Sequence, residues 1–359
     1  MKKNLFIIGL GLIGGSLGLA LRESPLVNKI WGFDVDQEAE KKALELGIID
    51  EALPLREGAS QAGVVFLCTP LRTFPAIIEE IGDVLRPETL ITDVGSTKEN
   101  VMHIFKKLPR GVWGIGGHPM AGSEIKGING ADRYLFENAV YVLTPPPDVP
   151  EEALGYLQEL LVFTGARVKI MEASYHDRLV ATISHVPHLA AAALVNLTEG
   201  KDDNLMMAAG GFRDTTRIAS SSPELWQDIL FSNREYVGEK LEAFIALLSR
   251  MRKALADDDR EALYKELKQA KIIRDQIPHK RKGLLPEFSE IVCIVPDQPG
   301  IIGKIGEILG SADINIVDIE ILRAREGDGG SIRIGVKDRE TAEKAVERLK
   351  SFAIKAWVR

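Results

Sequence analysis

The stretch Asn4-Leu5-Phe6-Ile7-Ile8-Gly9-Leu10-Gly11-Leu12-Ile13-Gly14-Gly15-Ser16 limits what this chain can fold into more than any other. A short apolar run meets glycines spaced G-x-G-x-x-G and passes straight into an apolar-periodic segment, the pattern of a strand turning directly into a helix. Gly9 permits a tight turn, Gly11 lets the backbone approach a pyrophosphate, and Gly14 allows helix and strand to close together. A dinucleotide then rests on the helix N-terminus, with Leu12 and Ile13 in the first turn. Lys29-Ile30-Trp31-Gly32-Phe33-Asp34 reads as a second strand, ending in a carboxylate 20 residues after Gly14, where a ribose 2′-hydroxyl is held. Asp34 repels a 2′-phosphate and no arginine follows it closely, so the expected cofactor of this Rossmann unit is NAD and not NADP. Lys2-Lys3 before the uncharged run Leu5 to Leu21 also has the look of an export signal. Five glycines at fingerprint spacing and the closing Arg22-Glu23 argue against that reading. They also argue against a transmembrane helix, and no later stretch reads as one.

Alternating βα signals continue the pattern. Gln37 to Leu46 and Leu71 to Leu85 read as helices, while Gly63 to Cys68 and Thr89 to Asp93 read as buried strands. This predicts a doubly wound parallel sheet whose ligands lie beyond the carboxyl ends of its strands, at Thr69-Pro70 and at Asp93-Val94-Gly95-Ser96. The next strand end, Gly114-Ile115-Gly116-Gly117-His118-Pro119, sets an imidazole in a glycine-rich loop. Beside a nicotinamide, neutral His118 takes the proton of an alcohol while hydride leaves the same carbon; otherwise it satisfies a loop carbonyl. Ser96 either orients that chemistry or caps the helix after it. Strands at Ala139 to Thr144 and Arg167 to Met171 close a first domain, 1–170.

From 171 to 282 the periodicity is helical. Two long helices, near Ser174 to Leu197 and Asn233 to Ala256, exceed what one small domain buries and suggest a homodimer. His176, His185 and His188 share this stretch, but on a regular helix His176 and His185, nine residues apart, face opposite ways. No metal is expected there; His185 or His188 has a substrate-pocket role, or they are satisfied helix-face histidines. Arg213 and Arg217, at i and i+4, share a helix face and carry the forked donor that suits a carboxylate; the alternative is a surface charge pair.

Lys280-Arg281-Lys282-Gly283 reads as a linker. The tail, 288–359, follows the order βαββαβ, a ferredoxin-like unit with helices on one sheet face and no catalytic-looking residues. A net charge of -7 gives a nucleic acid or other polyanion no electrostatic reason to bind. Two cysteines, Cys68 and Cys293, each in an apolar strand-like run, point to buried thiols in the cytoplasm.

The glycine loop, Asp93-Val94-Gly95-Ser96, Gly117-His118-Pro119-Met120-Ala121-Gly122-Ser123-Glu124, Ser184-His185-Val186-Pro187-His188 and Phe212-Arg213-Asp214-Thr215-Thr216-Arg217 together resemble prephenate dehydrogenases in motif and order. The tail resembles an ACT domain, with Asp297-Gln298-Pro299-Gly300 at its first strand–helix turn. The resemblance implies a Rossmann domain, a helical substrate and dimerisation domain, and a regulatory domain. It implies NAD-dependent oxidative decarboxylation of prephenate to 4-hydroxyphenylpyruvate in tyrosine biosynthesis. His118 then accepts the hydroxyl proton, with Ser96 placing it. Arg217 binds a substrate carboxylate, Arg213 and His188 lie near the pocket, Glu124 orders its mouth, and Thr69 joins the cofactor residues. L-Tyrosine is expected near Asp297 and Gly300 as an inhibitor. The family often carries lysine where Arg213 stands, which leaves arogenate as an alternative substrate. A non-catalytic NAD- and amino-acid-sensing regulator is the alternative from a different class.

Overall fold

A computed structural model describes residues 2–122, 125, 127–277, 289–296, 298–322 and 330–358. It divides into two units, Met1–Gln276 and Ile277–Arg359.

The first unit is organised by an eight-stranded sheet. Its strands are β1 (Lys3–Ile8), β2 (Val27–Phe33), β3 (Glu51–Ala52), β4 (Val64–Leu67), β5 (Leu90–Asp93), β6 (Trp113–Pro119), β7 (Val140–Thr144) and β8 (Arg167–Ile170), in the order β3-β2-β1-β4-β5-β6-β7-β8. Alternation along β1 and β4 sends their side chains to two cores. Leu5, Ile7, Val64 and Phe66 pack with Leu17, Leu21, Leu157 and Leu161 on one face, and Phe6, Ile8, Val65 and Leu67 with Phe74, Ile78, Ile104 and Phe105 on the other. Helices on both faces are why these strands read as continuous apolar runs.

The expected all-parallel sheet needs one correction, since β7 pairs antiparallel with β6 while β7 and β8 are parallel to each other. Between β6 and β7 the described residues contain a single helical turn, Ile128–Gly130, and no crossover helix, so β7 returns beside β6 in the opposite sense. Helix Glu151–Phe163 then supplies the crossover to β8.

The helical part of this unit begins with Ala173–Val180, a π-helical turn at Ala181–His185, and Val186–Asn196. Against the sequence expectation, the continuous run Ala173–Asn196 is long and apolar enough, by length and composition, to cross a membrane. Its buried His176, Asp177 and His185 are instead tied into the polar contacts described below, and its buried His188 stacks on Trp226. Helices Gly210–Thr216, Pro223–Ser232, Arg234–Ala256 and Arg260–Gln276 follow. The 23-residue helix Arg234–Ala256 buries Val237 and Ala254, whereas Ile245, Leu248 and Leu255 lie open in the single chain.

The second unit has strands β9 (Ser289–Val295), β10 (Asp318–Leu322), β11 (Gly330–Val336) and β12 (Lys355–Val358), and helices Ile301–Gly310 and Arg339–Ser351. The sheet is antiparallel in the order β10-β11-β9-β12, which is the βαββαβ topology. Ile291, Cys293, Ile332 and Ile334 face Ile305, Leu309, Ala345 and Leu349, so one face of the sheet is covered by the two helices. The expected linker at 280–283 lies outside the described residues.

Candidate active site

β1, β4, β5 and β6 run parallel, so their carboxyl ends share one edge of the sheet. That edge collects the glycine loop, Thr69, Ser96 and His118. The sheet reverses its winding between β1 and β4, which is where an open α/β sheet leaves a crevice for a dinucleotide.

The glycine loop has the geometry such a ligand requires. Gly9 adopts φ +98°, and a Cβ there would lie 2.7 Å from the carbonyl carbon of Cys68. A Cβ on Gly14 would lie 2.0 Å from the Gly9 carbonyl oxygen. Over Gly11 nothing lies within 4 Å, so the backbone is open to an approaching phosphate. Helix Leu12–Leu21 starts with no side-chain cap and no acidic residue in its first turn, leaving its positive end for an anion. The Asp34 carboxylate accepts from Leu10 N–H at 2.7 Å and from Asp36 N–H at 3.0 Å, which fixes it beside the loop with lone pairs left for ribose hydroxyls. Thr69, at the end of β4, is held by a 2.8 Å hydroxyl–hydroxyl bond to Thr73. Gly14→Ala must therefore push helix Leu12–Leu21 off β1. Calorimetry is expected to show NAD affinity reduced by about tenfold or more, on the scale of 1–3 kcal/mol for a forced close contact.

The reacting side is built around His118, at the end of β6. Its imidazole is buried, and burial, with His176, Lys98 and His185 nearby, holds its pKa well below the usual histidine value. His118 Nδ1 lies 2.8 Å from His176 Nε2, the rings meeting edge to face at 5.0 Å between centroids. His176 Nδ1 in turn lies 2.7 Å from Asp177 Oδ1. The same carboxylate accepts the main-chain N–H of Lys98 at 2.8 Å and of Glu99 at 2.9 Å. Asp177 thus caps the helix Glu99–Phe105, the role that the sequence had offered to Ser96 as an alternative. Ser96, half-buried, lines a cavity of about 230 Å³ with His118, Met120, Ser184, His185 and Trp226.

Below His118 lies a wholly buried ion pair, Lys98 with Asp93. Asp93 also accepts Gly95 N–H at 2.7 Å and Gly117 N–H at 2.9 Å, and Lys98 Nζ donates to the Gly117 carbonyl at 2.5 Å. Burial pushes the Asp93 carboxyl up and the Lys98 ammonium down. Three of the four contacts hold the Gly117 and Gly95 backbone, so the pair sets the strand ends that carry His118 and Ser96.

The π-helical turn corrects the expectation that His176 and His185 face opposite ways. A π-turn advances each residue by less than an α-turn, and both histidines are buried near His118, His176 bonded to it and His185 lining the same cavity. Asn233 Nδ2 joins them, donating to the Asp177 carbonyl at 2.8 Å and lying 3.1 Å from His185 Nδ1. Burial pulls His185 down to about 4, with Asp177 opposing. His188 stacks on Trp226 at 3.6 Å and 8°, and burial lowers its pKa as well.

The two arginines are placed differently from the expected pair on one regular helix. Arg213 sits on helix Gly210–Thr216, but Arg217 opens a 3₁₀ turn, Arg217–Ser220. Both are exposed, and neither lines the 230 Å³ cavity within one chain. Glu124 lies outside the described residues. A larger cavity of about 650 Å³, lined by residues such as Phe105 and Trp113, sits at the opposite end of β6 and holds none of the expected site residues.

Sequence reasoning missed His176, Asp177, Lys98, Asn233 and Trp226. Lys98 had a signal, since it follows Asp93 by five residues across a strand end. Asp177 had none, because its partners Lys98 and Glu99 lie 79 and 78 residues away.

A doubly wound sheet with this loop and acidic strand end, and an imidazole at the end of β6 on the same edge, defines an NAD-dependent dehydrogenase. The comparisons with known proteins narrow the class: the family model "Prephenate dehydrogenase, nucleotide-binding domain" matches residues 17–170, "Prephenate dehydrogenase, dimerization domain" 172–269, and "ACT domain" 289–353. The chain belongs to the prephenate dehydrogenase family. It is 39% identical to a prephenate dehydrogenase of Bacillus subtilis, over 97% of this chain and 96% of that one. A crystal structure of prephenate dehydrogenase from Aquifex aeolicus, in complex with hydroxyphenyl propionate and NAD+, superposes with a TM-score of 0.71 at 33% identity, covering 77% of this chain and 99% of that one. Synechocystis arogenate dehydrogenase superposes with a TM-score of 0.67 at 33% identity, covering 77% and 100%.

Proposed function

We propose that this enzyme oxidises and decarboxylates prephenate to 4-hydroxyphenylpyruvate in tyrosine biosynthesis, and that His118 is its base. The observation that carries the reading is a buried imidazole, its pKa held low by that burial, lining the same cavity as Ser96 on the sheet edge that holds the dinucleotide loop. Bound NAD supplies the hydride acceptor. His118 takes the C4 hydroxyl proton as hydride leaves C4, with Ser96 orienting that hydroxyl. The developing ketone, conjugated through the ring, accepts the electron pair released as the C1 carboxylate departs, and aromatisation drives the loss of carbon dioxide. Trp226, backed by the stacked ring of His188, walls one side of the cavity. The test is NADH absorbance with prephenate and NAD, run in parallel with arogenate; absence of NADH with both substrates refutes the reading.

We assign Arg217 to a substrate carboxylate, with Arg213 and Glu124 at the mouth. Arg217→Ala is expected to raise the prephenate KM by about tenfold or more, the scale of a charge-assisted hydrogen bond, with kcat much less affected. An unchanged KM removes the assignment. The homodimer is supported by the apolar side chains left open on Arg234–Ala256, each worth roughly 1.5–3 kcal/mol when covered, and by the match to a dimerisation-domain family model. Within the first unit we keep the domain boundary at 170/171, with the regulatory domain at 288–359. Two free thiols, Cys68 and Cys293, support a cytoplasmic setting.

For the second unit we propose L-tyrosine as an inhibitory ligand near Gly300, which adopts φ +87° at the start of helix Ile301–Gly310, and Asp297, which lies outside the described residues. Calorimetry on the full chain is expected to register tyrosine binding, and NADH formation to fall as tyrosine is added. Binding without inhibition would leave a ligand site but no regulator.

A further inference from the structure

We propose that His176 with Asp177, and separately Asn233, are positioning residues that lock the two cavity imidazoles in opposite tautomers: His118 with a bare Nε2, and His185 with its proton on Nε2. This rests on the reading of His118 as the base and says which of its nitrogens does the work.

The assignment follows from donors and acceptors counted from fixed ends. Two main-chain N–H groups, from Lys98 and Glu99, point at the Asp177 carboxylate, and a main-chain N–H can only donate. Asp177 is therefore an acceptor, and His176 Nδ1, 2.7 Å away, carries the proton of that bond. In the neutral ring His176 Nε2 is then bare and accepts. His118 Nδ1, 2.8 Å away, must be the donor, which leaves the lone pair of His118 on Nε2. Each imidazolium formed at His118 keeps its Nδ1–H bonded into the same chain, so the charge that appears during turnover meets an acceptor backed by a carboxylate.

Asn233 anchors the second ring. Its side-chain nitrogen donates to the Asp177 carbonyl, which excludes the flipped amide because two oxygens would then face each other. The remaining proton on that nitrogen points to His185 Nδ1 at 3.1 Å, making Nδ1 an acceptor and leaving the His185 proton on Nε2. One cavity is thus lined by an imidazole that accepts and another that donates. His118 suits the substrate hydroxyl, and His185 suits an oxygen that gains or carries negative charge.

The first test needs no substrate. Nitrogen-15 spectra of the full-length enzyme with labelled histidine, assigned by single substitutions, are expected to show His118 protonated on Nδ1 and His185 protonated on Nε2 at neutral pH. Either ring in the other tautomer, or as a cation, overturns the proposal. If the tautomers are as stated and prephenate yields no NADH, the functional reading fails alone.

The second test asks whether the lock matters for turnover. His176→Leu removes the acceptor and is expected to lower kcat by about 10²-fold, with KM for prephenate and NAD within about threefold. His176→Gln, whose amide oxygen accepts from His118 Nδ1, is expected to recover activity to within about tenfold of wild type. A leucine variant within about threefold of wild type, or a glutamine variant as slow as leucine, rejects the positioning role. Should the leucine variant not fold, the glutamine variant and the wild-type spectra still decide.

Discussion

Replacing His118 by asparagine is expected to lower kcat by about 10²- to 10⁴-fold, the range for removal of a positioned general base. Asparagine keeps a donor toward His176 but has no group that takes a proton at neutral pH. NAD binding should survive, since the glycine loop lies at the end of β1, with two strands, β4 and β5, between it and β6 in the sheet. Calorimetry with NAD and steady-state NADH formation separate the two effects. Turnover within a few-fold of wild type would remove His118 from the chemistry. The same residue sets the pH dependence of the wild-type enzyme. Burial first, then His176, Lys98 and His185, holds the His118 pKa well below about 6.5. The base is therefore unprotonated across neutral pH, and kcat should stay level as pH falls to 6.5 and decline only further into acid. An acid limb centred at or above 6.5 would contradict the burial seen here.

The second large effect concerns stability. Lys98→Met is expected to cost about 3–5 kcal/mol, the range for leaving one partner of a buried ion pair uncompensated. Both side chains are wholly buried, and Asp93 would keep only its two main-chain N–H bonds. The sign of the pH dependence follows from Asp93, whose pKa is raised by burial, with Lys98 the main opposing influence. Without Lys98 the folded protein binds a proton that the unfolded chain gives up near its ordinary carboxylate pKa. The variant's deficit should therefore grow as pH rises from about 5 to 8. Urea midpoints at the two pH values measure this, and a variant as stable as wild type at pH 8 would show that the pair contributes nothing to the strand ends.

Activity should suffer in the lysine variant as well, because Lys98 and Asp93 hold Gly117 and Gly95, the neighbours of His118 and Ser96. A stable variant with lowered kcat and intact NAD binding would separate that positional effect from unfolding.

The cofactor half was legible in residues close together in the chain. The G-x-G-x-x-G loop and Asp34 belong to one βαβ unit, where strand, turn and helix periodicities are local and a glycine's backbone freedom is a property of the residue itself. His118 could be singled out for the same reason, as an imidazole in a glycine-rich strand end. The βαββαβ order of the tail was equally plain, because each element carries its own period.

What only the tertiary structure decided were the relations between distant segments. The reversed direction of β7, the π-turn that brings His176 and His185 to one side, and the cap that Asp177 places on Glu99–Phe105 leave no periodic trace. Asp177 and Asn233 look like ordinary polar residues on helices until folding sets them against Lys98 and His185. The physical reason is that a hydrogen bond needs its partners within about 3 Å, and chain spacing says nothing of which groups 48 or 79 residues apart will meet. The sequence thus determined the nucleotide-binding unit and the kind of base, and the packing of the helical half against β6 decided how that base is held.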